Sequence, residues 1–342
     1  MNNRKKFEDQ IIQLSHGDGG LKTSQLINNL ILDYLGNSTL NKMEDSAIIE
    51  TGGSRLAFTT DSFVVNPIFF PGGDIGKLSI CGTVNDLATT GCTALGLSFS
   101  LIMEEGFPTK HLKKILASIK ATSLEAGVNI ITGDTKVVEK GSVDKIFINT
   151  SGLGIIKHGL SLSTEKIKAG DKIIINGPIG DHGISILSQR EEFNFKSNII
   201  SDCAPLNSMV DEIISRSRRI HALRDATRGG LATVLLEMAD TSNHSMNVYS
   251  KNIKVTNEVK GICDFLGLDP LYIANEGKMV MFVDARDADI VLKTIRQNKY
   301  GQQASIIGEV GPKGSCSVIL NTEIGTRRML DMQYGEQLPR IC

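Results

Sequence analysis

The chain ends on a cysteine, Cys342, so its last side chain is a thiol. A chain end is normally the least ordered part of a domain, and a thiol placed there can reach out from the fold or return to it. Two interpretations are open: the cysteine is a substrate that the chain carries to an active site, or it is an ordinary exposed residue on a frayed end. Because the preceding segment has little periodicity, we expect residues 335–342 to form a flexible tail.

Five aspartates lie at strand ends and turns, beside Gly, Ser, Thr or Asn. Hard cations such as Mg²⁺ prefer oxygen ligands and bridge carboxylates to phosphate oxygens. An aspartate in such a segment is also a common turn or cap residue, so each one alone is open to both interpretations. Asp86 is the only charged residue between Leu78 and Met103, and an ionised carboxylate there needs a partner or a metal. The five residues are Asp45, Asp61, Asp86, Asp134 and Asp225.

Glycine-rich turns could supply a phosphate site beside such a cation. Backbone amides in glycine-rich loops and at helix starts can cradle phosphate groups. One such turn, residues 15–20, contains Asp18, and another contains Gly72 and Gly73. Neither has the spacing of a Walker A loop, so neither alone identifies a nucleotide site.

A lysine and a glutamate could transfer protons. Lys136 directly follows a Gly-Asp-Thr turn, and Glu276 lies in the segment Asn-Glu-Gly-Lys. Each could instead belong to a surface ion pair, which is a common role of such residues. His16 and His182 lie in glycine-rich turns, where a histidine either contacts a ligand or packs the turn.

Charge and composition argue against several classes of protein. A net charge of −1 favours neither nucleic acid nor an anionic membrane surface. Residues 78–103 are apolar, but burying Asp86 in a bilayer would cost about 2.5–3.5 kcal/mol, so we interpret them as a buried helix followed by a buried strand. The six cysteines include no C-x-x-C pair, which argues against structural zinc. We expect a soluble cytoplasmic protein without a disulfide framework.

The elements that must position these residues alternate between helical and strand-like patterns. A length of 342 residues suggests two domains. Helical periodicity runs through Leu21–Leu35 and Lys110–Ala126, whereas short β-branched runs such as Leu97–Met103 predict strands. The pattern restarts between residues 155 and 165. We therefore predict a mixed α/β (α+β) fold with domains at residues 1–157 and 158–334, followed by the tail.

Several segments together resemble one family, the HypE proteins of hydrogenase maturation. They occur in order along essentially the whole chain. The terminal motif is specific to HypE within a superfamily that includes aminoimidazole ribonucleotide synthetase and selenophosphate synthetase. The segments are Thr60-Asp61-Ser62, Phe69-Phe70-Pro71-Gly72-Gly73, Ile80-Cys81-Gly82-Thr83-Val84-Asn85-Asp86, Thr132-Gly133-Asp134-Thr135-Lys136-Val137-Val138, Leu223-Arg224-Asp225-Ala226-Thr227-Arg228-Gly229-Gly230, Ala274-Asn275-Glu276-Gly277-Lys278 and Pro339-Arg340-Ile341-Cys342.

The resemblance implies an N-terminal ATP-binding domain whose sheet pairs across a homodimer, and a C-terminal α/β domain. It implies ATP-dependent dehydration of an S-carbamoylated C-terminal cysteine to a thiocyanate. HypF would supply the carbamoyl group, and the HypC–HypD complex would receive cyanide for the iron of nickel–iron hydrogenase. No role with nucleic acid or a membrane is expected.

The resemblance also implies roles for particular residues. Cys342 would be the modified residue, and Lys136 and Glu276 would be the proton-transfer groups. The residues expected to bind ATP are Asp45, Asp61, Asn85, Asp86, Asp134, Asp225, Gly72 and Gly73, and those expected to bind Mg²⁺ are Asp45, Asp86 and Asp225.

One departure from the family and two alternative functions remain open. The first glycine-rich loop commonly carries serine where this chain has Asp18, and a carboxylate near phosphates repels them unless it binds the metal or faces away. A selenophosphate-synthetase-like kinase would use the same fold, but it typically has a reactive residue near that loop, and no cysteine occurs before Cys81. A non-catalytic carrier would need no such set of aspartates.

Overall fold

The structure is a computed structural model that describes residues 7–190, 197–333 and 340–342. It is a mixed α/β fold with two principal sheets, as the sequence predicts. The first sheet is built from strands between Ala47 and Ile156, and the second from strands between Lys172 and Leu330.

Helices occur throughout the described part of the chain. The segment after the first glycine-rich turn is helical throughout, with a wider π turn at Ile27–Ile31 between its two α-helical parts. The α-helices are α1 (Leu21–Leu26), α2 (Leu32–Leu35), α3 (Ile75–Thr89), α4 (Thr109–Ala126), α5 (Asp181–Leu187), α6 (Asn207–Arg216), α7 (Gly230–Ser242), α8 (Asn257–Leu266) and α9 (Ala288–Gln297).

The strands alternate with these helices along the chain. They are β1 (Ala47–Thr51), β2 (Ser54–Phe63), β3 (Phe69–Phe70), β4 (Gly73–Asp74), β5 (Cys92–Glu104), β6 (Ile130–Val138), β7 (Ile146–Ile156), β8 (Lys172–Ile175), β9 (Ile220–Asp225), β10 (His244–Tyr249), β11 (Met279–Val283), β12 (Ser305–Lys313), β13 (Val318–Asn321) and β14 (Arg327–Leu330).

The first sheet has the order β1-β2-β7-β5-β6, and β5 and β6 form its parallel pair. Helices α3 and α4 pack together, and α3 covers one face of the sheet. Side chains of β7 alternate between buried and partly exposed, as expected for a strand with one covered face. The other face of the sheet exposes large apolar side chains, including Ile49, Phe58 and Ile155.

Two local sequence features explain where α3 begins and where α4 ends. The side chain of Asp74 caps α3, because its Oδ1 accepts hydrogen bonds from Gly76 N at 2.8 Å and Lys77 N at 3.1 Å. Helix α4 ends where Gly127 adopts a left-handed conformation at φ 65°. Helix α3 is buried on nearly every side because it also contacts β9 and α6 of the second half. It therefore carries its polar residues into the contact between the two halves.

The second sheet has the order β14-β13-β10-β12-β8-β11-β9, with β10 and β13 parallel. Strand β11 is fully buried, and its neighbour β9 is the edge strand of the sheet, beside α3. The carboxyl end of β9 therefore lies near the first sheet. In the described part of the chain, no helix has both the length and the apolar character that spanning a bilayer requires.

Candidate active site

Three aspartates from different elements meet where the two halves contact each other. Asp45 precedes β1, Asp86 lies on α3, and Asp225 is the last residue of β9. One carboxylate oxygen from each lies within 4.8 Å of the others. The fold thus brings together the three residues that the sequence analysis assigned to Mg²⁺.

Neighbouring polar groups fix the orientation of this carboxylate cluster. Thr59 Oγ1 lies 2.8 Å from Asp86 Oδ2 and 2.9 Å from the backbone oxygen of Asp45. The Arg224 guanidinium forms a buried ion pair with Asp45 Oδ1 and donates to Met43 O at 2.9 Å. Asp45 Oδ2 is buried and has no hydrogen-bond partner among the described residues. One oxygen of Asp45 is therefore held, and the other is available to a ligand.

The cluster is electrostatically unfavourable without a cation. Burial raises the pKa of Asp86 well above its ordinary value, and the charges of Asp225 and Asp45 raise it further. Burial and the charge of Asp45 likewise raise the pKa of Asp225 well above its usual range. Buried like charges need a partner, and carboxylate oxygens are the ligands that Mg²⁺ prefers. The unpartnered oxygen and the acidic donor set fit a divalent cation.

Asp61, on β2, adds a fourth carboxylate near the cluster of Asp45, Asp86 and Asp225. A side chain at Gly82 on α3 would place its Cβ 2.9 Å from the ring of Phe63 and 3.3 Å from Asp61 Oδ2, so the glycine permits this close approach. Burial raises the pKa of Asp61, and the charge of Arg228 opposes that rise. Arg228 also donates to Gly17 O at 2.8 Å, which ties the first glycine-rich loop to the site.

Glu276 is buried, and its backbone is held by Asp202, which lies in the loop before α6. Asp202 Oδ1 accepts from Glu276 N at 3.1 Å, and Asp202 Oδ2 accepts from Lys278 Nζ at 2.7 Å. A Cβ at Gly277 would lie 1.9 Å from Asp202 O, so only glycine fits there. Glu276 Oε1 has no hydrogen-bond partner among the described residues. Burial, more than any nearby charge, raises the pKa of Glu276 well above its usual range.

The side chain of Asn85 bonds to the protein backbone. Its Nδ2 donates to Ala204 O at 3.1 Å and Glu276 O at 3.3 Å, and its Oδ1 accepts from Leu206 N at 2.8 Å. It holds the loop at residues 202–206 and Glu276 against α3. The predicted contact of Asn85 with ATP stays a prediction.

The last three residues of the chain are docked against the first half. Val64 N donates to Cys342 O at 3.0 Å, and Asn66 N donates to Arg340 O at 3.1 Å, in the manner of an added antiparallel strand. Arg340 Nη1 lies 2.5 Å from Asp144 Oδ2. Residues 335–339 of the predicted flexible tail lie outside the described residues.

The docked Cys342 thiol is affected by the charged residues of the site. Burial raises its pKa to about 12, and the charges of Glu276, Asp61 and Asp225 add to that rise. The charge of Arg228 acts in the opposite direction. The charges of Glu276, Asp61 and Asp225 thus lie near enough to affect the pKa of Cys342, and the docked position favours the protonated thiol.

Two predicted residues lie apart from this group in the single chain. Asp134 and Lys136 lie on β6, where their side chains are 60% and 65% exposed and form an ion pair at 2.8 Å. Within the described part of the chain, Lys136 is thus paired with Asp134 and not with Glu276. An open hollow of about 530 Å³ lies along β6 and includes Asp134 and Gly133 in its lining.

The glycine-rich turns have local structural roles. A Cβ at Gly72, whose φ is 94°, would lie 2.9 Å from Ser201 O, so this turn packs closely on the loop that contains Ser201. Gly73 begins β4 beside it. Asp18 Oδ1 accepts from Gly20 N at 2.7 Å and Thr23 Oγ1 at 3.2 Å, so the carboxylate is engaged by its own loop.

Sequence reasoning missed Asp202 and Arg228 as parts of the site. Arg228 lies in a segment that carries the family resemblance, so its position could have been noticed. Asp202 has no sequence signal, because its importance depends on a contact across 74 residues. His182, which the sequence left between ligand contact and turn packing, bonds Ile341 O at 2.8 Å.

Comparisons with known proteins agree with this arrangement. The N-terminal domain of AIR synthase related proteins matches residues 43–156, and their C-terminal domain matches residues 168–321. A relative named carbamoyl dehydratase HypE, from Bradyrhizobium diazoefficiens, is 45% identical over 332 residues, which are 97% of this chain and 96% of that protein.

Solved structures extend the likeness to the whole fold. A HypE–HypF complex contains a chain with 46% identity and a TM-score of 0.86, covering 90% of this chain and 99% of that one. A HypE in complex with ATP has 43% identity and a TM-score of 0.81, covering 97% of this chain and 100% of that one. The two-domain synthetase-like fold and the predicted family are confirmed. This chain belongs to the HypE family of hydrogenase maturation proteins, within the AIR synthase related proteins.

Proposed function

We propose that this chain is an ATP-dependent carbamoyl dehydratase whose substrate is its own S-carbamoylated Cys342. The observation that carries the proposal is the docking of Cys342, whose thiol pKa responds to Glu276, Asp61 and Asp225. Its family membership and a related HypE structure with ATP support the same activity. A carrier or a kinase of a free small molecule would not require a terminal cysteine in this position.

The reaction converts the carbamoyl oxygen, which is a poor leaving group as oxide, into a phosphate group, which departs readily. The carbamoyl oxygen attacks the γ-phosphorus of ATP, ADP departs, and one N–H proton is lost. The second N–H proton then leaves as the C–O bond breaks, so thiocyanate and phosphate are formed. The sum is conversion of S-carbamoyl cysteine and ATP to S-cyanocysteine, ADP and phosphate. Tethering the substrate converts an encounter into an intramolecular step.

Residues of the chain have distinct proposed roles. Asp45, Asp86 and Asp225 would hold Mg²⁺, with Asp61 and Asp134 at the nucleotide. Mg²⁺ bound there neutralises phosphate charge. Glu276 has a buried oxygen without a partner, which suits it to accept a proton from the carbamoyl nitrogen. The docked, partly buried position of Cys342 limits the access of water to the activated intermediate.

Replacing Glu276 tests this assignment. We expect Glu276→Gln to abolish thiocyanate formation on carbamoylated Cys342, because the amide cannot accept the proton at neutral pH, while ATP still binds. The measurement is intact mass after addition of ATP and Mg²⁺. Glu323→Gln is the matched control, since Glu323 is exposed in the turn between β13 and β14. A normal rate of dehydration in Glu276→Gln would refute the role of Glu276.

We also propose that two copies pair through the uncovered face of the first sheet. Large exposed apolar side chains support this, since a monomer rarely leaves a broad apolar face in water. Lys136 would then reach the site of the other copy, where it would stabilise or move charge. The exposed apolar residues that the strand register places on this face include Ile49, Phe58, Ile102 and Ile155.

Mixed dimers test whether Lys136 acts across the pair. Lys136→Ala and Glu276→Gln should each be inactive alone. A mixture of the two should regain activity, because one of the two sites then combines an intact Glu276 with an intact Lys136 from the other copy. An inactive mixture, with mixed dimers verified by mass, would show that both residues act within one chain.

The partners and location follow from the same proposal. A HypF-type carbamoyltransferase would load Cys342, as the HypE–HypF complex of a relative suggests. A HypC–HypD-type complex would receive the cyanide. All six cysteines are free thiols in the structure, and the reaction requires Cys342 to be reduced, which suits the cytoplasm.

A further inference from the structure

A buried histidine contacts the docked tail. His182 lies in the first turn of α5 and is 0% exposed. Its Nε2 lies 2.8 Å from Ile341 O, and its Nδ1 lies 2.8 Å from Ser201 Oγ. The ring also packs edge-on against Phe70, with the ring centroids 5.5 Å apart. Both ring nitrogens therefore have defined partners.

These partners determine the tautomer. The backbone oxygen of Ile341 can only accept a hydrogen bond, so Nε2 must carry the hydrogen. Nδ1 of a neutral ring then accepts from the Ser201 hydroxyl. Ser201 Oγ in turn accepts from Cys203 N at 3.1 Å. A continuous chain of hydrogen bonds thus runs from the loop at residues 201–203 through His182 to the tail.

The contact lies next to the reacting residue. The carbonyl group of Ile341 is part of the peptide bond to Cys342, so fixing that oxygen limits where the Cys342 side chain can point. Ile341 is itself buried, and its carbonyl would lose its side-chain donor without His182. By contrast, the Arg340 contact with Asp144 lies at a half-exposed position, and the Val64 and Asn66 contacts use only backbone atoms.

We propose that His182 is a positioning residue that holds the C-terminal tail in its docked state through the hydrogen bond from Nε2 to Ile341 O. This inference rests on the proposed function, because it assigns the docked state to the dehydration step. The tail must leave this position to be carbamoylated and to deliver cyanide. One hydrogen bond between neutral groups suits such reversible docking, since its net contribution is modest.

The same loop positions the proposed base. Asp202 follows Ser201 directly, and its Oδ1 holds the backbone of Glu276 at 3.1 Å. Consecutive residues thus contact the histidine that holds the substrate tail and the glutamate that acts on it. Docking through His182 places Cys342 relative to the loop that also positions Glu276.

Alkylation of the full-length protein measures docking directly. We expect His182→Phe to raise the alkylation rate of Cys342 at least about fivefold, because the buried Ile341 carbonyl loses its donor. His182→Gln retains an N–H donor and should restore part of the protection. Exposed Cys316 is the internal reference, and buried Cys263 reports unfolding. An unchanged ratio of Cys342 to Cys316 alkylation in His182→Phe would overturn the inference.

A second variant keeps the test decisive if His182→Phe fails to fold. Ser201→Ala leaves the ring in place but removes the hydroxyl bonded to Nδ1, so the ring loses the contact that orients its Nε2–H towards Ile341 O. We expect a smaller rise in Cys342 alkylation, with Cys263 still protected. Equal Cys342 protection in folded Ser201→Ala and the wild type would show that the orientation of the His182 ring does not control docking, and would overturn the inference.

Single-turnover dehydration separates this inference from the proposed function. With Cys342 already carbamoylated, His182→Phe should form thiocyanate more slowly, in proportion to the loss of docking, while ATP affinity stays unchanged. No thiocyanate in the wild type would refute the proposed function. Normal dehydration in the wild type with an equal rate in His182→Phe would refute only the role of His182.

Discussion

Raising the pH should release the tail, because the docked Cys342 thiol cannot easily ionise. Its pKa rises from 9.0 to about 12 on docking, chiefly through burial. Each pKa unit corresponds to about 1.4 kcal/mol, so the docked position disfavours the thiolate by at most about 4 kcal/mol, since water screens part of it at this partly exposed residue. The sign follows from the raised pKa: docking is at full strength below pH 9 and is lost as the pH rises towards 12.

The assay compares two thiols of one protein across pH. In protein free of nucleotide and Mg²⁺, alkylation of Cys342 is divided by that of the exposed Cys316, which removes the ordinary effect of thiol ionisation. The ratio should be constant up to pH 9 and then rise by up to about tenfold per pH unit. Buried Cys263 must stay unreactive throughout, as a control for unfolding.

A constant ratio well above pH 9, with Cys263 protected, would refute the reasoning. It would mean that docking does not change the ionisation of the thiol. Carbamoylated Cys342 has no ionisable S–H, so its docking should not depend on pH in this way. The loaded tail is therefore expected to dock at least as well as the free one under alkaline conditions.

Three further predictions concern the residues around the site. Lys278→Met should lower the free energy of unfolding by about 3–5 kcal/mol, because it leaves Asp202 buried without its partner. Lys172→Met, at a half-exposed ion pair, should lower it by less than about 1 kcal/mol. Urea unfolding measures both variants, and equal losses would contradict this prediction. Gly277→Ala should abolish dehydration because its Cβ would lie 1.9 Å from Asp202 O, and retained single-turnover activity would show that the loop yields easily. Asp86→Asn should stabilise the metal-free protein by about 1 kcal/mol, because it removes repulsion between like charges. The same variant should no longer be stabilised by Mg²⁺. The melting temperature measures both effects, and a lower melting temperature of the metal-free variant would contradict the repulsion argument.

Much of the fold follows from local sequence patterns. Helix α4 follows a Pro-Thr start signal and ends at Gly127, and strands β5 and β7 contain apolar, β-branched runs bounded by turn residues. These features depend on neighbours in sequence, so the mixed α/β class and the two-domain organisation were predictable. The domain boundary at residues 157 and 158 stays a prediction.

Other elements lack a clear local pattern. Strand β9 carries the polar residues His221, Arg224 and Asp225, and it pairs with β11 in the tertiary structure. The turn before His182 proves to lead into α5, a short buried helix. Their conformations depend on burial against distant parts of the chain, which no window of sequence contains.

The site was predicted in part, for the same reason. Asp86 was distinctive because it interrupts an uncharged stretch, and the structure places it with Asp45 and Asp225. Their role as Mg²⁺ ligands stays a prediction. The contact of Asp202 with Glu276 could not be foreseen, since it joins residues far apart in sequence. Lys136 is exposed in the single chain, and its proposed role depends on a second copy.

The central claim is that the terminal sulfur of this chain is converted to a thiocyanate at its own ATP site. The most direct measurement is the mass of the C-terminal peptide after Cys342 has been carbamoylated and then exposed to ATP and Mg²⁺. The account predicts the loss of one water from that peptide, with ADP and phosphate formed in equal amount, and no such change in Cys342→Ala. A carbamoyl group that persists on Cys342 while ATP is hydrolysed would contradict it.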